Sequence, residues 1–267
     1  MTTGMHRRLS ARPYAPAPML LLPSGASLSI VFPAYQEEQY LAAAVTEVVM
    51  GVRQWSVPFQ VVVVENGSRD ATMAVATDLA ERFAEVVAMS TGTADYGRAL
   101  RAGLLASNGT YVVNFDVDLY DLAFVESAIA VMTGPAGASI VVGSKRADDA
   151  SDNRHWTRKV VTAVFSGLLR HGFGLKVSDT HGMKVMRRAD VVALAEQCLF
   201  GTDLFDTELV LRAERAGLRT GEVGVTVAET RPARTPIVSR IWRSLRGLAR
   251  LRLALWSEAR RARRSPV

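Results

Sequence analysis

Thr110-Tyr111-Val112-Val113-Asn114-Phe115 is a mostly apolar run with several β-branched residues, and it stops abruptly in Asp116-Val117-Asp118. A run of that composition reads as a strand buried on both faces. Alternate residues of an extended chain point the same way. Asp116 and Asp118 are therefore expected to project together from the strand's C-terminal mouth, where open α/β sheets bind ligands. Two hard oxygen donors at that place suit Mg²⁺ or Mn²⁺, with water and substrate phosphates completing the coordination. The plainer reading of the pair is a solvated loop after a strand.

The chain on either side alternates between extended and helical patterns. Leu28 to Pro33 reads as a strand stopped by proline, Phe59 to Val64 as a second apolar strand and Val86 to Ser90 as a short third. Ser139 to Gly143 follows the central strand, Lys184 to Met186 reads as an edge strand, and Val223 to Ala228 as the last. Helices are expected at Gln39 to Gln54, from Ser68 or Asp70 to Phe83, from Tyr96 onward, and at Leu122 to Met132. Further helices are expected at Trp156 to Leu169, Ala189 to Gln197 and Phe205 to Ala216, with Gly217 ending the last. Lys145 to Arg154 is charged and rich in turn formers, and reads as a loop. Strands alternating with helices imply an α/β fold with a mainly parallel central sheet flanked by helices.

Charge separates the ends from the middle. Residues 240–264 hold nine arginines and one glutamate, and residues 1–27 hold three arginines and no acid, which leaves a net −5 on 28–239 out of the chain's +6. Three units follow: a Pro-rich lead over 1–27, a single α/β domain over 28–236, and a basic tail over 237–267. In the tail Ile241, Trp242, Leu245, Leu248 and Leu255 recur at helical spacing among arginines, the pattern of a helix lying in an anionic membrane surface. The alternative is a helix packed on its own domain with a solvated basic face. No nucleic-acid-binding motif accompanies the arginines. Met19 to Leu22 is too short an apolar run for a signal-peptide core, so a cytoplasmic protein touching the inner membrane face is expected. Cys198, the single cysteine, excludes an internal disulfide. His155, His171 and His181 lack metal-site spacing, and neither Ser68 nor Ser144 has an evident histidine partner for hydrolysis.

Several separated stretches together resemble the inverting family 2 glycosyltransferases of the GT-A fold, and among them the enzymes that load a sugar onto a polyprenol phosphate. Phe32-Pro33-Ala34-Tyr35-Gln36-Glu37-Glu38 resembles the family's entry motif, and Glu65-Asn66-Gly67-Ser68 its aspartate-aspartate-glycine-serine turn. Tyr96 to Gly103 resembles the glycine-rich helix start, Asp116-Val117-Asp118 the metal-binding DxD, and Val142-Gly143-Ser144-Lys145 the end of the next strand. Asp179 to Arg188 and Phe205-Asp206-Thr207-Glu208-Leu209 are similar to the acceptor-side segments. The matches run in order over about residues 28–231.

The resemblance implies a nucleotide-diphosphate sugar as donor. Pro33, Ala34, Tyr35 and Glu37, with Glu65 and Asn66, would line the nucleoside; Arg98 would reach the diphosphate, and Asp116 and Asp118 would hold Mg²⁺ or Mn²⁺. A polyprenol phosphate acceptor would meet Lys145, Arg146, Arg158 and Lys184. A sugar or protein hydroxyl would instead need a base, for which Asp206 is the matching position. The plainer readings are that Arg158 and Lys184 are surface charges and Asp206 a helix cap, and a third reading is a non-catalytic nucleotide-binding or scaffold protein. The chain departs from the family at three places. Glu65 and Asn66 replace paired aspartates, the lysine before Gly97 is absent, and Tyr120 stands where some synthases have a metal-binding glutamine, with Asp121 beside it as a substitute ligand.

Overall fold

A computed structural model describes residues 20, 22–144, 180, 182–201, 204–225, 246–257 and 260. Its centre is one sheet in the order β3-β2-β1-β4-β6-β5-β7. The strands are β1 (Leu28–Ala34), β2 (Phe59–Glu65), β3 (Val86–Ser90), β4 (Tyr111–Asn114), β5 (Ile140–Ser144), β6 (Lys184–Arg187) and β7 (Thr220–Gly224). Every neighbouring pair is parallel except those made by β6, which runs antiparallel between β4 and β5. The mainly parallel α/β sheet expected from the sequence is therefore present.

The run of valines explains why the first strands are buried on both sides. Ile30, Phe32, Val61, Val63 and Val113 face one layer, which contains α1 (Leu41–Arg53), α2 (Thr72–Arg82) and α4 (Leu122–Thr133). Val31, Val62, Val64 and Val112 face the other, which contains α3 (Tyr96–Ala106), α5 (Arg188–Gln197) and α6 (Phe205–Arg215). Each such side chain fully removed from water contributes about 1.5–3 kcal/mol. Asp95 caps α3 by accepting from Arg98 N at 2.9 Å, and Asp121 caps α4 by accepting from Ala123 N at 2.9 Å. Neither Ser68 nor Asp70 is the N-cap of α2, which is Ala71, although Asp70 Oδ1 does accept from Thr72 N at 3.1 Å.

Two strands differ from the sequence reading. β6 is interior, not an edge, because Val185 and Met186 are buried against both layers once its antiparallel pairing closes the gap between β4 and β5. β7 begins three residues earlier than expected. Thr220-Gly221-Glu222-Val223-Gly224 is half-buried throughout and has no apolar alternation to announce it. The expected helix over Trp156 to Leu169 and loop over Lys145 to Arg154 lie outside the described residues, as does the lead over 1–19.

The basic tail contributes a helix, α7 (246–257). Leu248 and Leu255, expected to face a membrane, are turned inward with Leu251 onto Leu204, Val210 and Leu211. The packed alternative holds for this face. Ile241, Trp242 and Leu245 lie outside the described residues. Among the described residues no helix is long and apolar enough to cross a membrane.

Candidate active site

The C-terminal ends of β1 and β2 carry two loops that clamp each other. Gln36, at a left-handed φ of 56°, donates its N–H to Ser68 Oγ at 3.0 Å, and Glu37 N donates to Thr72 Oγ1 at 2.8 Å. In return Ala71 N donates to Glu38 Oε2 at 2.9 Å. Gly67 has φ 78°, and a Cβ there would lie 2.9 Å from Ala94 N, so both the turn and the close approach of the next loop require glycine. Pro33 and Ala34 are buried at the strand end, Tyr35 and Arg98 are exposed at the rim, and Glu37 is half-buried.

Glu65 is buried and busy. It accepts from Ser68 N and from Ser90 Oγ, the latter at 2.6 Å. Burial pushes its carboxyl up, and hydrogen bonds from Ser90, Ser68 and Gly67 together outweigh that and hold it below the usual range. Asn66 donates its N–H to Ala34 O at 3.0 Å, while its side-chain Oδ1 is buried without a hydrogen-bond partner. The altered pair of the second motif thus divides its work. Glu65 builds the turn, and Asn66 presents an unused acceptor.

The two aspartates do not sit on an extended strand. β4 ends at Asn114, and Asp116 to Leu119 closes a tight turn in which Asp116 N donates to Leu119 O at 3.1 Å and Leu119 N returns to Asp116 O at 3.0 Å. Contrary to the expected strand alternation, the turn and not the pleat places both carboxylates at the mouth. Asp118 is exposed and Asp116 half-buried. Tyr96, the first residue of α3, donates its hydroxyl to Asp116 Oδ1 at 3.0 Å and accepts from Asn114 Nδ2 at 3.2 Å. Burial and then the charge of Asp206 push the Asp116 carboxyl up to about 6, against the opposing pull of Lys184 and the Tyr96 hydrogen bond. The same surroundings push the Tyr96 phenol well above its ordinary value.

That carboxylate, raised because its charge is under-compensated, fits a hard divalent cation together with Asp118. Among the described residues no third His, Cys, Asp or Glu joins them, so the other ligands would be water and substrate oxygens. Asp121 Oδ1 caps α4, and Tyr120 donates its hydroxyl to Glu47 Oε2 at 2.7 Å.

On the far side of the mouth Lys184 and Asp206 form an ion pair at 2.7 Å with both side chains buried. Lys184 also donates to Gly182 O at 2.9 Å. It is not a surface charge, and Asp206 is not a cap, because Leu204 holds that position and no side chain caps the helix. Around the pair, Thr180 and Thr207 share a hydrogen bond at 2.9 Å. Glu208 accepts from Leu199 N, Phe200 N and Arg212 Nε, and so ties the preceding loop to α6. Tyr96, Asn114, Asp116, Lys184 and Asp206 are thus one coupled group. Lys145, Arg146 and Arg158 lie outside the described residues, as does His181. From the sequence Tyr96 is only the start of a helix and of the glycine-rich motif and Asn114 has no role, although one polar residue at the end of an apolar strand is the available signal.

Comparison with known proteins bears on the family and the fold. The family model described as glycosyl transferase family 2 matches residues 29–193. The glycosyltransferase AglD of Haloferax volcanii is 29% identical over 220 residues, 80% of this chain and 35% of its own length. A dolichyl-phosphate beta-glucosyltransferase of Trichomonas vaginalis, ALG5D, is 27% identical over 217 residues, 74% of this chain and 64% of its own length. The chain therefore spans between about a third and two thirds of these relatives. In fold it is similar to glucosyl-3-phosphoglycerate synthase of Mycobacterium tuberculosis, solved with Mn²⁺, UDP and glucosyl-3-phosphoglycerate. That likeness has a TM-score of 0.64 at 20% identity and covers 86% of this chain and 80% of that one.

Proposed function

The chain belongs to glycosyl transferase family 2, and we propose that it moves a sugar, with inversion, from a nucleotide-diphosphate sugar to a polyprenol phosphate. The observation that carries the choice of acceptor is the buried Lys184–Asp206 pair. A hydroxyl acceptor needs a base, and Asp206 is the family position for one. Moving a proton onto Asp206 would leave the Lys184 ammonium buried without its counter-charge, which is costly. A phosphate monoester is already anionic and reacts without losing a proton to the protein. The name of the Trichomonas relative, a dolichyl-phosphate glucosyltransferase, supports the same acceptor class.

In the proposed reaction an acceptor phosphate oxygen forms a bond to the anomeric carbon from the face opposite the diphosphate. The glycosidic C–O bond breaks, and the nucleoside diphosphate leaves with the electron pair. Asp116 and Asp118 would hold Mg²⁺ or Mn²⁺, which when bound neutralises charge growing on the leaving diphosphate. Tyr96 fixes the Asp116 carboxylate, and the unused Oδ1 of Asn66 offers an acceptor to a base N–H at the nucleoside end. Pro33, Ala34, Tyr35 and Glu37 would line the nucleoside, and Arg98 would reach the diphosphate. The solved relative with Mn²⁺ and UDP gives the fold precedent for this arrangement.

The test is release of nucleoside diphosphate by the purified chain with Mg²⁺ or Mn²⁺, from UDP- and GDP-sugars, with and without a short-chain polyprenol phosphate. Lipid-dependent release that Asp116→Ala or Asp118→Ala lowers by about 10²-fold or more is the expected result. Release that depends instead on a hydroxyl acceptor and is lost in Asp206→Asn would replace the acceptor. Absence of donor binding would point to a scaffold.

A further inference from the structure

The tail helix α7 has a second face. Inward, Leu248, Leu251 and Leu255 are buried on Leu204, Val210 and Leu211, and the helix sits so close that a Cβ on Gly247 would lie 2.0 Å from Leu204 Cδ1. With about 3.6 residues per turn, positions 246, 249, 253, 256 and 260 fall opposite those leucines. They are Arg246, Ala249, Leu253, Trp256 and Arg260. Leu253 is 66% exposed and Trp256 54% exposed, which is unusual for two large apolar side chains within one turn. Arg250 and Arg252 flank them, and the Arg260 guanidinium lies 3.6 Å from the Trp256 ring centroid. Among the described residues from 246 to 260 there are four arginines and no carboxylate.

We propose that this outer face of α7 docks on an anionic bilayer surface, with Leu253 and Trp256 entering the boundary between headgroups and acyl chains and the arginines engaging lipid phosphates. Charge complementarity selects the occupant. The stripe carries no acid among its described residues to pair with a basic partner, and combines a tryptophan with cations in the way that suits the membrane interface. The inference deepens the proposed function and rests on it only for the identity of the lipid substrate. Its structural consequence is specific. The helix behind α7 is α6, which carries Asp206, and packed helices lie about 8–10 Å apart. Docking would therefore hold α6, and with it the Lys184–Asp206 pair, one helix layer behind the headgroup plane.

The test is flotation of the full chain with vesicles of phosphatidylglycerol and phosphatidylcholine, compared with phosphatidylcholine alone. Binding to the anionic vesicles is expected, weakened in about 1 M salt, where the screening length falls to about 3 Å. The double variant Leu253→Ser/Trp256→Ser should lower partition about tenfold or more with an unchanged circular dichroism spectrum. Arg246→Gln/Arg250→Gln should lower it on anionic vesicles only. Equal binding to both vesicle types, no binding, or a serine variant that binds as well as the parent overturns the proposal. Turnover of a short-chain polyprenol phosphate in solution reads the acceptor separately. Turnover without vesicle binding removes the docking face alone, and variant-sensitive vesicle binding without turnover keeps the face and removes the acceptor.

Discussion

The mouth of the sheet handles charge in two ways. At the end of β2, Glu65 is held by Ser68 N–H, three residues away, and by the Ser90 hydroxyl on the adjacent strand. At β6 and α6, Lys184 and Asp206 are held by each other across 22 positions of sequence. The first arrangement uses neutral donors, so removing the carboxylate strands dipoles only. The second uses full charges, so removing either member strands an ion. The difference sets a ranking of what each region can lose.

The largest effect is expected at the pair. Lys184→Met or Asp206→Leu alone should cost about 3–5 kcal/mol of stability, because the remaining charge is buried without a partner. The double variant Lys184→Met/Asp206→Leu should recover most of that loss, since a buried pair replaced by apolar groups of similar volume is often neutral. Urea unfolding of the three variants measures it. Single variants as stable as the parent would collapse the contrast between the two regions.

A smaller loss is expected at Glu65. Glu65→Gln keeps the shape: its oxygen can still accept from Ser68 N–H while its amide N–H donates to Ser90 Oγ, so the bonds persist but lose the charge that strengthens them, at about 1 kcal/mol. The sign with pH is also fixed. The folded carboxyl is held below its ordinary value, so its contribution is present above that value and lost as pH falls through the folded one. Unfolding of the glutamine variant should lack that acid-side loss.

The same contrast explains what could be read from the residues alone. The β1, β2 and β4 strands, the turn at Gly67 and the carboxylates at Asp116 and Asp118 announce themselves through local composition, because each is stabilised by near neighbours or by burial on both faces. The interior position of β6 depends on pairing with two strands distant in sequence, and its four residues carry a lysine at the start that reads as solvated until Asp206 is placed beside it. The turn that positions Asp116 holds no glycine or proline to announce it, so Asp116 to Asp118 reads as a continuation of extended chain. Tyr96 could not be assigned, since its partners Asn114 and Asp116 come from another element. The inward turn of Leu248 and Leu255 was equally hidden, because helical spacing shows that a face is apolar and not what covers it.

The smallest effect is expected at Asp116, which lies between the two regimes: half-buried, hydrogen-bonded by the neutral Tyr96, and within the field of the Lys184–Asp206 pair. Its folded value of about 6 is above the ordinary 3.8, so its favourable contribution is complete below the ordinary value and is lost as pH rises through about 6. Partial exposure reduces the difference to about 1 kcal/mol. Urea unfolding in the presence of a chelator should therefore show the parent losing stability relative to Asp116→Asn across that window. Tyr96→Phe should move the midpoint higher still, because the phenol hydrogen bond favours the ionised carboxylate. Adding Mn²⁺ should reverse the loss in the parent and leave Asp116→Asn unchanged, since only an ionised Asp116 can trade its proton for a cation. A parent that shows the pH loss but no response to Mn²⁺ or Mg²⁺ would mean that the raised carboxyl answers to the buried pair alone and that the turn is not a cation site.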